Sequence, residues 1–171
     1  MKKLILSFAA IIMMASMTTK VMAQNTAQND ARAEIEAIIA LTAGDKLEFG
    51  RIAGTTVAGT VVLSDLGVTA TNVQLLTGAI RAPATYLASG EPDDKYVISV
   101  PTADVIITNT SIAAGTKTMT VNAFVTSKAS NLGTFDIKGM DNFIVGATLH
   151  VGTDQALGVY IGKFNVSIDY Q

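Results

Sequence analysis

A chain of 171 residues with twelve basic and fourteen acidic side chains, one histidine and no cysteine rules out several classes of protein at once. Thiol nucleophiles, disulfide scaffolds and cysteine-ligated metals are excluded, and an acidic balance does not suit a phosphate backbone, so no nucleic-acid partner is expected. With 49% hydrophobic and 15% charged residues, the chain has enough apolar material for one packed domain.

In chain order, Lys2 and Lys3 precede the apolar run "LILSFAAIIMMASM", and "VMA" ends on the small residue Ala23. This is the pattern of a bacterial-style secretory signal peptide over residues 1–23, with Gln24 as the expected first residue after cleavage. The apolar core is shorter than a membrane span needs and stops at polar "TTK". No second long apolar run follows, so the expectation is an exported protein in the periplasm, at the cell surface or secreted, with no transmembrane segment after cleavage. Beyond Ala23 the charge falls to −5, because three lysines and no acids lie before it. A cysteine-free fold in an oxidising compartment must rest on packing and hydrogen bonds.

Residues 24–33, "QNTAQNDARA", hold no large apolar side chain and read as a flexible leader. One domain is expected over residues 34–171. Its first run, "EIEAIIALTAG", fits two periods: Ile35, Ile39, Leu41 and Ala43 align on a strand, whereas Ile35, Ile38 and Ile39 share a helical stripe. The β-branched isoleucines and the strand-like character of everything downstream favour a strand over 34–43. Short β-rich runs then follow, broken by Gly, Asn, Asp and Pro: "KLEFGRI", "TVAGTVVLS", "PATYLAS", "KYVISVP", "DVIIT", "KTMTVNAFVTS", "GTFDIKG" and "FIVGATLHVG". "SGEPDDKY" reads as a turn, with Pro92 fixing φ and Asp93 or Asp94 bonding the local backbone. The terminal run "GVYIGKFNVSIDYQ" alternates, and the sequence predicts that it forms a hairpin with Val145–Val151 through "GTDQALG". Such spacing predicts an all-β, immunoglobulin-like antiparallel β-sandwich.

The chemistry on offer is sparse. His150 is the sole histidine, and alternation places it beside Thr148 on the face opposite Leu149 and Val151, facing solvent rather than a reacting group. No nucleophile elbow, phosphate loop or dinucleotide fingerprint occurs. Asp93 and Asp94 suit a turn better than a hydrolytic carboxylate pair, and Glu34 and Glu36 share a water-facing side of the first strand. Asp136 and Asp141 flank "IKGM", which lacks the spacing of a calcium loop. The triplets at Asn109 and Asn165 match a glycosylation sequon but sit in a chain whose export signal looks bacterial. Tyr86, Tyr96, Phe124, Phe135, Phe143 and Phe164 fall inside β-rich runs and suit a core. No cofactor, metal site or enzymatic activity is expected.

"LEFGRIAGTTVAGTVVLS", "VGATLHV" and "GVYIGKFNVSIDYQ" together resemble the bacterial secreted domain-of-unknown-function family 4402, over about residues 34 to 170. That family is itself similar to fimbrial subunits of the chaperone-usher class and to spore-coat-protein-U-like pilins. In such pilins the last strand commonly has a penultimate tyrosine and a glycine fourteenth from the end, positions held here by Tyr170 and Gly158. The resemblance implies a pilin-like sandwich that receives a strand from a periplasmic chaperone and then from a like subunit. The residues it implicates in that pairing are Gly158, Tyr160, Phe164, Val166, Ile168 and Tyr170. The chain departs from those pilins in lacking a cysteine pair and in having only alanines in "QNTAQNDARA". Two arrangements stay open: "AEIEAIIAL" is a donor strand and the body starts at "KLEFG", or the sandwich is complete in one chain. The expectation is therefore an exported, non-enzymatic structural or adhesive subunit, with a self-contained β-sandwich binding protein as the alternative.

Overall fold

The computed structural model describes residues 26–54 and 56–171. The expected signal peptide and the first two residues of the expected leader lie outside the described residues. The chain divides into two units, Met1–Glu34 and Ile35–Gln171. In the first, residues 26–34 are exposed and carry no regular secondary structure, and Arg32 pairs with Glu34 at 2.7 Å.

The second unit is organised around β9 (Met140–Val151), whose period-two pattern sends Phe143, Val145, Ala147, Leu149 and Val151 to one face, all at most 3% exposed. On one edge β9 pairs with β7 (Thr118–Thr126). Its other edge is shared end to end: β4 (Ala84–Ser89) runs along Met140–Val145 and β2 (Gly59–Ser64) along Ala147–Val151. Gly146 stands where one neighbour gives way to the other, and a β-carbon there would collide with the Leu63 carbonyl oxygen. Around this centre β1 (Ala40–Ala43) pairs with β4, β3 (Gly67–Thr71) with β2, β6 (Val105–Asn109) with β7, and β10 (Tyr160–Ile161) with β6. Every strand pair is antiparallel.

A second sheet has the order β11 (Ser167–Tyr170), β5 (Lys95–Ser99), β8 (Leu132–Thr134). Tyr96, Ile98 and Ile168 from this sheet join Phe135, which follows β8, in one core with the inner face of β9. Tyr96 stacks on Phe135 with centroids 4.6 Å apart, and Tyr86 stacks on Phe143 at 5.3 Å. Gly133 lies against the Tyr96 ring, which leaves no room for a β-carbon. The architecture is the all-β antiparallel sandwich that the strand spacing predicts.

β7 carries a bulge between Asn122 and Val125, with Ala123 at φ 48°. The extra residue reverses the alternation and turns Phe124 inward, where its ring meets Phe164 at 5.0 Å.

Several expectations require correction. The strand expected over 34–43 pairs only at Ala40–Ala43, since its partner β4 ends at Ser89 opposite Ala40. Ile35 and Ile38 consequently lie exposed, at 96% and 90%. "KLEFGRI" makes isolated bridges, Glu48 to Ala82 and Ile52 to Leu75, rather than a strand. β3 was not signalled, because the tight turn at Asp65–Leu66 lacks the usual Asn-Gly or Asp-Gly pair. The predicted hairpin between β9 and the terminal run does not form. Both edges of β9 are already filled by β7, β4 and β2, so the last strand crosses to the other sheet and pairs with β5. The terminal run is also broken in two, β10 in one sheet and β11 in the other.

Candidate functional site

The six residues that the resemblance assigns to strand pairing run from Gly158, just before β10, to the end of β11, and each has a distinct setting. Gly158 adopts φ 140°, and a β-carbon there would lie 2.8 Å from the Asn109 side chain. Asn109 is 2% exposed; its amide nitrogen donates to the carbonyls of Ala156 and Leu157, each at 3.2 Å, and its oxygen accepts from the Ser111 amide at 2.8 Å. The buried amide thus fixes the bend that launches β10. The Tyr160 hydroxyl points at the carbonyls of Thr116, at 2.7 Å, and Ala156, at 2.8 Å.

Phe164 and Val166 are half-buried against the core, and Ile168, opposite Ile98 of β5, is 8% exposed. Among the described residues β11 has one hydrogen-bonded strand neighbour, β5, so its other edge carries no ladder. Beside the start of β11, residues 99–105 and 163–167 enclose an open cleft of about 450 Å³. Its lining is apolar at Val100, Pro101 and Phe164 and charged at Asp104 and Lys163.

Tyr170 ends the strand as a buckle. Its hydroxyl accepts from the Glu91 amide at 2.7 Å and donates to the Ala37 carbonyl at 2.8 Å, while the Ala37 amide donates to the Glu91 carboxylate at 3.0 Å. One side chain therefore joins the turn after β4, the segment leading into β1 and the terminal strand. Tyr170→Phe keeps the ring against Phe135 but orphans the Glu91 amide and the Ala37 carbonyl. It should lower unfolding free energy by about 0.5–1.5 kcal/mol, measured by urea denaturation.

Several other titratable residues are held by protein groups. His150 is exposed beside Thr148, and its Nε2 lies 2.8 Å from Asn122 Oδ1; the Asn122 amide donates to Asp104 at 2.9 Å. Asp93, at φ 62°, shapes the expected turn, in which the Asp94 amide donates to the Glu91 carbonyl at 3.3 Å. Asp136 accepts from the amides of Met140, at 2.8 Å, and Lys138, at 2.9 Å, and these bonds hold its carboxyl below the usual range. Asp141 accepts from Tyr96 Oη at 2.9 Å and Lys128 Nζ at 2.6 Å. Among the described residues no three His, Cys, Asp or Glu side chains cluster in a way that could hold a metal ion.

Burial, reinforced by the bond to Asp141 and its negative charge, raises the Tyr96 phenol above its ordinary value. The unfolded chain loses this proton as pH passes about 10, while the folded chain keeps it to higher pH. That contribution to stability is complete below about pH 10 and drains away above it. Urea midpoints should therefore fall between pH 9 and pH 11, and less steeply in Tyr96→Phe.

Sequence reasoning missed Asn109 as a structural hub, the Tyr96–Asp141–Lys128 cluster and the double bond made by the Tyr170 hydroxyl. Local spacing holds little sign of them, because apart from the Asn109–Ser111 bond their partners lie 13 to 133 residues away. The two sequon asparagines differ: Asn109 is buried, Asn165 exposed.

The fold and this edge define an antiparallel β-sandwich domain with a singly paired terminal strand. The chain belongs to the family described as "Domain of unknown function (DUF4402)", whose match covers residues 39–170. No curated protein and no solved structure matches it.

Proposed function

We propose that this protein is an exported, non-enzymatic structural or adhesive subunit, fimbrial in kind, that assembles by β-strand complementation along the outer edge of β11. The observation that carries this reading is the combination at β11: a single paired edge and a strand whose Phe164, Val166 and Ile168 face inward. An incoming strand would gain main-chain hydrogen bonds along the open edge. An unpaired edge is an aggregation hazard, and a periplasmic chaperone that covers it until a like subunit arrives would remove that hazard. The spacing of Gly158 and Tyr170 at the end of the chain supports the pilin-like form of this proposal. The signal-peptide pattern supports export.

A second reading, a self-contained secreted or periplasmic binding sandwich, is favoured by the Tyr170 buckle, which ties the protein's own first segment to the end of β11. Concentrating the purified chain and cross-linking it separates the two. Ladders of like subunits, with rapid hydrogen exchange at the β11 amides in the monomer, support complementation. A persistent monomer with protected β11 amides overturns it in favour of the second reading.

A further inference from the structure

The inner face of β9 is apolar except where it begins. Asp141 stands opposite Ala88, which is fully buried, and two residues before Phe143. Its carboxylate meets Lys128 Nζ at 2.6 Å, with the two side chains only 15% and 25% exposed. The second carboxylate oxygen accepts from Tyr96, which is 0% exposed. Both oxygens and the amine are therefore held in one orientation by three different segments: the end of β7, β5 and the start of β9. A partly enclosed ion pair adds little stability beyond what apolar packing would supply at the same place. It does, however, hold the Lys128 amine against one carboxylate oxygen while Tyr96 holds the other.

We propose that Lys128 and Asp141 are the two halves of an intramolecular amide cross-link that the folded chain forms by itself, with Tyr96 as the hydrogen-bond donor that polarises the carboxyl. Lys128 first passes one ammonium proton to the carboxylate, leaving a neutral amine and a neutral carboxyl group. The nitrogen lone pair then forms a bond to Cγ of Asp141. The C–O bond to the oxygen facing Lys128 breaks, and that oxygen, which holds the first proton, takes up a second amine proton and departs as water, while the oxygen bound by Tyr96 remains as the amide carbonyl. The product is a secondary amide, and no oxidant, reductant or co-reactant is consumed. Fixed orientation supplies the drive: well-placed intramolecular partners react as though at about 10⁵–10⁸ M. The bond would close the chain from Lys128 to Asp141 around β8, joining β7 to β9 covalently in a protein with no cysteine to do so.

Peptide mapping of the folded full-length chain by mass spectrometry after trypsin digestion tests this. The expected result is a joined peptide pair that contains Lys128 and Asp141, lighter than its parts by one water, with no cleavage after Lys128. Asp141→Asn should also join, lighter by one ammonia, which no ion pair reproduces. Lys128→Arg should give no joined species, and Tyr96→Phe should join more slowly during refolding. Normal cleavage after Lys128, with the Asp141 peptide at its sequence mass in folded wild-type protein, overturns the proposal and leaves an ion pair only.

Discussion

Phe143→Ala should lower unfolding free energy by about 3–5 kcal/mol, as large-to-small changes at packed aromatic positions do. Phe143 is 2% exposed near the start of β9, where its ring stacks on Tyr86 at 5.3 Å and meets Tyr96 at 6.4 Å. Tyr86 comes from β4 of one sheet and Tyr96 from β5 of the other, so the ring is the contact through which the two layers share a core. Removing it leaves a hollow that β9 cannot readily close by moving, because its pairing with β4 holds the strand at this position. A guanidinium titration of the variant against wild type would measure the loss. A change below about 1 kcal/mol would mean that the sheets pack independently of this ring.

Asn109→Ala should cost about 2–3 kcal/mol, although it removes no apolar contact of comparable size. Its side chain makes three hydrogen bonds in a site that is 2% exposed, and truncation strands the Ser111 amide without its acceptor. The effect should be local as well as thermodynamic. Amide exchange at Tyr160 and Ile161 should accelerate more than exchange in β9, since the bend that delivers β10 to β6 depends on this amide. Uniform acceleration across both sheets would place Asn109 in the common core rather than at a local hinge.

Alternation along β2, β5 and β9 was legible because each strand has one face in the core and one in water, and that contrast is written into the residues. The inward set Phe164, Val166 and Ile168 was legible for the same reason. Pairing partners were not, because alternation tells which face a residue occupies and says nothing about which neighbour lies beside it. The terminal strand shows the gap: "GVYIGKFNVSIDYQ" fits β9 locally, but β9 has no free edge, so β11 joins β5 instead. Ile35 and Ile38 mislead in the other direction, since an apolar β-branched run promises a strand that β4 is too short to pair. At the candidate site the sequence marks Tyr170 by position, while its role comes from a hydroxyl bound to Glu91 and Ala37, which only the tertiary fold brings together.

That hydroxyl also decides how the domain would behave under tension. Ala37 and Tyr170 lie at opposite ends of the folded unit in sequence, but a single 2.8 Å hydrogen bond connects them. A pull applied between the two ends would act first on this contact and then on the short edge strands β1 and β11, leaving β9 and its neighbours shielded. If subunits assemble into a thread in the way proposed above, the yielding elements would be the outermost strands of each domain. The packed interior would stay folded while the thread lengthened.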